Sequence, residues 1–118
     1  MATILVVDDE PDVRFLVRIV ATQRGHEVLE AADGMEALEV LRASAVDAVV
    51  TDLNMPRMSG VTLRERIREA WPDLPVLLWT ASRHPTHEGE PVTDALDKSP
   101  LDLDLDALLR AGSTEVAS

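Results

Sequence analysis

Val49-Val50-Thr51-Asp52-Leu53-Asn54-Met55-Pro56-Arg57-Met58-Ser59-Gly60 is the stretch that decides the fold of this chain. A β-branched, apolar run ends in one carboxylate. A short loop carrying Pro56 follows, and then Ser59-Gly60, a helix-start signal. Asp52 therefore stands at the tip of a strand. In open α/β sheets the carboxyl ends of central parallel strands face the ligand crevice, which makes Asp52 a candidate site residue. A turn or helix-capping acid would occupy the same place, and the stretch alone leaves that reading open.

Upstream, Ile4-Leu5-Val6-Val7 is a short apolar run of the kind buried on both faces of a parallel sheet, and it too ends in acid, Asp8-Asp9. Glu10-Pro11-Asp12 places proline near a helix start. Phe15, Leu16, Ile19 and Val20 then recur at helical spacing up to Gly25, a C-terminal stop. His26 to Ala31 reads as a second strand. Asp33-Gly34 caps a helix that runs through Ala37, Leu38 and Leu41 to near Ser44, and Val46 to Asp52 is the third strand. Downstream, Val61, Leu63, Ile67 and Trp71 predict a third helix ended by Pro72, and Pro75 to Thr80 a fourth strand that finishes in a hydroxyl. Strands alternating with helices predict βαβ units: an α/β fold with a parallel sheet and helices on both faces.

The alternation falters at Arg83. His84-Pro85-Thr86-His87-Glu88-Gly89-Glu90-Pro91 holds two prolines and a glycine where a fourth helix is due, and predicts a loop with at most one helical turn. Val92 to Lys98 suits a weak fifth strand at an edge. A last helix is expected from Asp102 or Asp104, on the spacing of Leu105, Leu108 and Leu109, and a frayed tail from Gly112. The 118 residues are expected to form one domain, 1–118, with an ordered core over about 3–111.

No apolar run approaches the roughly 20 residues that span a membrane, and no leader is expected ahead of the first strand. The chain has no cysteine, which fits a reducing cytoplasm. Its formal charge of -11 argues against nucleic acid and anionic membranes as partners. It suits a protein that holds a cation, although solubility alone accounts for most surface acids.

The polar strand ends carry the chemistry. Asp8 and Asp9 close the first strand, Asp52 the third and Thr80 the fourth, while Lys98 lies just past the fifth. A parallel sheet gathers these ends on one edge. At about 4 Å and an effective dielectric near 20, each ionised pair there costs roughly 4 kcal/mol, more than one lysine offsets. Mg2+, which takes a few carboxylates and keeps several waters, fits such a set. The plainer alternative has Asp8 or Asp9 capping the first helix while Lys98 neutralises the rest. His84, His87 and Glu88 lack a fourth metal ligand, His26 suits a strand edge, and Trp71 and Trp79 suit core or rim positions.

At these residues the chain resembles the receiver domain of two-component response regulators. Asp8-Asp9, the string Asp52-Leu53-Asn54-Met55-Pro56-Arg57-Met58-Ser59-Gly60, Pro75 through Thr80-Ala81, and Lys98 follow that family's pattern in order over nearly the whole chain. The resemblance implies a flavodoxin-like, doubly wound, five-stranded parallel sheet of order 2-1-3-4-5, here with a short or missing fourth helix. It implies that Asp52 is a phosphoacceptor, taking a phosphoryl group from a phosphohistidine on a histidine kinase or histidine phosphotransfer protein. It further implies Mg2+ on Asp9, Asp52 and the Asn54 carbonyl, with Asp8 acting through water. Lys98, the Thr80 hydroxyl and backbone N–H groups at Asn54 and Ala81 would hold phosphoryl oxygens. On this resemblance the chain is not an enzyme in its own right. It assists its own phosphorylation and slow autodephosphorylation, and it signals by protein contact from the cytoplasm.

The sequence departs from the family pattern in three places. Ser99 follows Lys98, so the usual proline arrives one residue late; Ala95 stands where an aromatic readout is usual; and Thr80 to Lys98 is several residues short. Two other readings start from the same residues. One is a small Mg2+-dependent aspartyl-phosphate phosphohydrolase, whose general acid would fall at Asn54. The other is a phosphate-independent pseudo-receiver binding module.

Overall fold

A computed structural model describes residues 2–80, 86–88, 90–91 and 96–97 of the chain. Strand β1 (Thr3–Val7), helix α1 (Pro11–Gln23), β2 (Glu27–Ala31), α2 (Gly34–Ala43), β3 (Ala48–Asp52), α3 (Gly60–Ala70) and β4 (Val76–Thr80) alternate as the sequence predicts. Three two-residue strands follow: β5 (Thr86–His87), β6 (Glu90–Pro91) and β7 (Leu96–Asp97). The main sheet runs β2-β1-β3-β4-β7 with every neighbour parallel, so β7 is the fifth strand of the flavodoxin-like order.

Alternate residues of a strand face opposite sides of its sheet, and here both sides are covered. Ile4, Val6, Val28, Ala48, Val50 and Trp79 pack with Val17 and Ala21 of α1. Leu5, Val7 and Val49 pack on the other side with Ala37, Leu38 and Leu41 of α2 and Leu63 and Ile67 of α3. This is why β1 and β3 read as unbroken apolar runs. A one-residue slip of either strand would exchange the two sets, so packing on both faces fixes the register, and with it the height at which each strand ends.

Local chemistry sets the helix ends. Pro11 opens α1, and Gly25, at φ 84, closes it: the Gly25 N–H donates to the Thr22 carbonyl and the His26 N–H to the Ala21 carbonyl, a Schellman pair. Asp33 caps α2 by accepting from the Glu36 N–H at 2.9 Å, and Ser59 caps α3 by accepting from the Thr62 N–H at 3.2 Å.

The structure differs from the sequence reading in two places. Helix α1 turns Val17 and Ala21 inward, with Val13 and Val20 half-buried, and leaves Phe15, Leu16 and Ile19 exposed. Two overlapping apolar spacings run along this helix, and the choice is made by the small, β-branched face that fits against β1 and β2. Residues 84–91, expected as a loop with at most one helical turn, include an antiparallel hairpin that pairs Thr86 with Pro91 and His87 with Glu90. Glu88 lies in the left-handed region at φ 53, and Pro91, which has no N–H, sits in a two-strand ladder with an open edge. Between β4 and β7 only residues 86–88 and 90–91 are described, so the expectation of a short or missing fourth helix falls largely outside the described residues. The expected last helix and the tail from Gly112 lie outside the described residues. No helix among the described residues is long and apolar enough to cross a membrane.

Candidate functional site at the carboxyl edge of the sheet

The register brings the strand ends together. Val7 pairs with Thr51, Asp52 with Trp79, and Thr80 with Asp97. Asp8 follows Val7 as Asp52 follows Thr51, so the two acids end neighbouring strands at one level, about 4.8 Å apart along the sheet, and Thr80 ends the next strand. Asp8 is 0% exposed, Asp52 6% and Thr80 2%, whereas Asp9 and Asn54 are open to solvent.

Both buried acids use the same local device. Asp8 Oδ1 accepts from the Glu10 N–H at 2.9 Å, and Asp52 Oδ1 accepts from the Asn54 N–H at 3.3 Å. Each carboxylate thereby closes a turn over the chain that leaves its strand, an Asx turn that holds the acid at the rim. Behind Asp52, the Gly60 N–H donates to the Leu53 carbonyl at 2.8 Å, and a Cβ on Gly60 would lie 2.3 Å from the Asp52 carbonyl oxygen. Only glycine lets the first turn of α3 lie this close to the strand end. The sequence reading took Ser59-Gly60 as a helix start and missed this second constraint. Arg57, at φ 69, approaches Asp33 at 3.9 Å but is mostly solvated, so that ion pair adds little.

Carboxylate oxygens of Asp8, Asp9 and Glu10 all lie within 4.8 Å of one another. Glu10 entered the sequence reading only as part of a helix start; its place directly after Asp9 in the turn was the available signal. An all-oxygen, carboxylate-rich set of this kind suits a hard divalent cation such as Mg2+. Asp52 ends β3, the strand paired with β1, and is not one of the three clustered acids. Lys98 and Ala81 lie outside the described residues, as does His84.

Arg14 was also missed. Its Nη1 donates to the Asp8 carbonyl at 2.6 Å and its Nε to Glu30 Oε1 at 3.1 Å, while Arg18 donates twice to Glu30 Oε2, at 2.9 and 2.6 Å. The Arg18 hydrogen bond, with that of Arg14 and the charge of both guanidiniums, holds the Glu30 carboxyl below its ordinary range against the opposing effect of burial.

The other residues weighed from the sequence have structural places. Trp79 is buried in the core on the α1 side, Trp71 packs half-buried at the end of α3, and His26 Nδ1 accepts from the Ala2 N–H at 3.2 Å. A cavity of about 540 Å³ lies at the opposite edge of the sheet, between Ala45-Val46-Asp47 and the segment from Trp71 to Pro75, away from the strand-end acids.

Comparison with known proteins bears on this edge. The family model described as the response regulator receiver domain matches residues 4–97. Among curated proteins, the sensor histidine kinase RcsC of Salmonella typhimurium is 44% identical over 79 residues, covering 67% of this chain and 8% of that protein. The transcriptional regulatory protein GlrR of Escherichia coli is 39% identical over 80 residues, covering 68% of this chain and 18% of that protein. The chain thus spans a small part of the length of either relative. Among solved structures, the response regulator protein TrrA of Thermotoga maritima, in complex with Mg2+-BeF, superposes with a TM-score of 0.75 at 30% identity, covering 97% of this chain and 98% of that one.

Proposed function

The chain belongs to the response regulator receiver domain family, and from that premise we propose that it is a phosphoacceptor of a two-component or phosphorelay system, with Asp52 as the residue that takes the phosphoryl group. The observation that carries this reading is the register: Asp52, Asp8 and Thr80 end adjacent parallel strands at one edge, each nearly or fully buried. Phosphorylation by histidine kinases and the use of Mg2+ are general features of the family.

An Asp52 carboxylate oxygen attacks the phosphorus of a phosphohistidine. The N–P bond breaks, the imidazole leaves with the bonding pair and takes up a proton, and an acyl phosphate remains on Asp52. Asp9, Asp52 and the Asn54 carbonyl would hold Mg2+, with Asp8 acting through water. The chemistry a bound Mg2+ supplies is neutralisation of charge on the phosphoryl oxygens. The Thr80 hydroxyl, Lys98 and the N–H groups at Asn54 and Ala81 hold those oxygens in line with the attack. Water then hydrolyses the acyl phosphate slowly and resets the domain. The donor is a histidine kinase or histidine phosphotransfer protein, and output passes by protein contact in the cytoplasm, without nucleic acid or membrane.

Incubation with a small acyl phosphate and MgCl2, followed by intact mass, tests the reading. Wild type gains one phosphoryl group, and Asp52→Asn gains none. A wild type that gains nothing under these conditions refutes the proposal and leaves a phosphate-independent binding module. Turnover of a small phosphoester refutes it in favour of a phosphohydrolase.

A further inference from the structure

Asp8 is held on three sides. Its N–H donates to the Ala31 carbonyl at 3.1 Å, its Oδ1 accepts from the Glu10 N–H at 2.9 Å, and its carbonyl accepts from Arg14 Nη1 at 2.6 Å. The first bond continues the β1–β2 ladder and the second belongs to the turn. The third reaches in from α1, where the strand has ended and Pro11 offers no N–H. A carbonyl that accepts from a guanidinium at this distance makes a charge-assisted bond, roughly twice as strong as a neutral one.

Arg14 is itself held. Its side chain is 17% exposed, and its Nε is committed to Glu30 Oε1 at 3.1 Å. Glu30 is fixed in turn by two N–H groups of Arg18 on its other oxygen. One planar fork therefore joins β2 to the main chain of Asp8, and the carboxylate behind it is clamped from both sides. Glu30 lies on β2, one residue before the Ala31 whose carbonyl takes the Asp8 N–H, so both supports of Asp8 come from the same two residues of that strand.

We infer that Arg14, anchored by Glu30, is a positioning residue that holds the Asp8-Asp9-Glu10 turn in the geometry needed to bind a divalent cation beside Asp52. This rests on the phosphoacceptor reading above and extends it to residues that touch neither cation nor phosphoryl group. Groups behind metal ligands commonly alter affinity by about 10–100-fold when removed. The sign separates positioning from simple charge. Removing a cation next to three acids leaves the site more negative, which by Coulomb's law alone tightens Mg2+ binding; loss of the turn's geometry weakens it.

The test is an amide chemical-shift titration of the full chain with MgCl2, with phosphoryl uptake measured in parallel. Arg14→Met keeps the aliphatic stem and removes the fork, and binds Mg2+ about tenfold more weakly. Arg14→Lys keeps the charge but does not restore affinity, because one ammonium does not reproduce a planar fork that reaches both the Asp8 carbonyl and Glu30. Glu30→Gln weakens binding about threefold, whereas Arg18→Met, which loses contact with Glu30 only, stays within about twofold of wild type. Affinity in Arg14→Met equal to or tighter than wild type overturns the inference, as does full rescue by Arg14→Lys. Should Arg14→Met lose the dispersed spectrum of a folded chain, Glu30→Gln decides, and unchanged affinity there overturns it. A wild type that shows neither Mg2+-dependent shifts nor phosphoryl uptake overturns the phosphoacceptor reading itself; normal uptake with unaltered variants overturns only the role of Arg14.

Discussion

Gly60→Ala offers a sharp test of how the site is built, because it adds one methyl group against backbone. The new Cβ would stand 2.3 Å from the Asp52 carbonyl oxygen, 3.0 Å from Leu53 Cα and 3.1 Å from the Asp52 carbonyl carbon. Cβ contacts under 3.0 Å are essentially never found, so α3 and the end of β3 must separate by about 0.7 Å. Overpacking of this kind costs typically 1–3 kcal/mol, and an unyielding backbone neighbour puts it at the upper end. Alanine recovers up to about 1 kcal/mol of helix propensity, which leaves a net loss of about 2 kcal/mol. For a domain of this size the melting midpoint then falls by about 10 °C. If Asp52 is the phosphoacceptor as proposed, phosphoryl uptake is hit harder than stability, since a shift approaching 1 Å at the reacting group costs on the order of tenfold or more in rate. Thermal melts followed by circular dichroism, and phosphoryl uptake timed by intact mass, read the two effects. Gly34→Ala is the milder comparison: its Cβ would meet the buried Met58 side chain, Sδ at 2.6 Å and Cβ and Cγ at 3.1 Å, but no backbone atom, so the side chain can yield and the loss is smaller than at Gly60. A Gly60→Ala variant that melts within about 3 °C of wild type and is phosphorylated at the wild-type rate refutes the close-approach argument.

Other substitutions probe the rest of the scaffold. Glu30 has its folded-state pKa lowered, chiefly by Arg18, so its contribution is present above the unfolded carboxyl range and fades as pH falls through the folded value. Glu30→Gln is accordingly less stable than wild type by up to about 1 kcal/mol at neutral pH, and urea midpoints of the two converge on acidification; a gap that widens in acid contradicts the assignment. Asp33→Ala and Ser59→Ala each remove a cap and cost about 1 kcal/mol in urea melts, while leaving the m-value unchanged. Val17→Ala costs about 2 kcal/mol because it empties a buried position, whereas Phe15→Ala stays within about 0.5 kcal/mol; the reverse order would put the wrong face of α1 inward.

Much of this architecture is legible in residue order because its signals are local. Asp33 and Ser59 announce helix starts through their own side chains, Gly25 announces a stop through a φ of 84 that other residues avoid, and β1 and β3 are covered on both faces and so read as plain apolar runs. What stayed hidden depends on partners distant in sequence. The inward face of α1 is chosen by its fit to β1 and β2, not by the stronger apolar spacing of Phe15, Leu16 and Ile19. Arg14 earns its place through Glu30, sixteen residues away, and no spacing rule links the two. Gly60 shows half its role locally, as the residue after a cap, and the other half only when Asp52 is folded against it.

The same distinction explains why the acids of this site can be held close together. Two carboxylates a strand spacing apart, about 5 Å, repel by roughly 3 kcal/mol at an effective dielectric near 20. Acids on loops would relax that by moving apart. Asp8 and Asp52 have no such freedom, because β1 and β3 are neighbours locked by buried residues on both faces, from Ile4 and Val50 on one side to Leu5 and Val49 on the other. Separating the acids would break that packing, whose burial is worth about 1.5–3 kcal/mol for each large side chain. The sheet therefore keeps its acids in place ahead of any ligand, so that the cation proposed to bind here would meet them already aligned. On this argument, cavities cut beneath the strand ends loosen the site before they unfold the domain, and a change confined to the exposed face of α1 does neither.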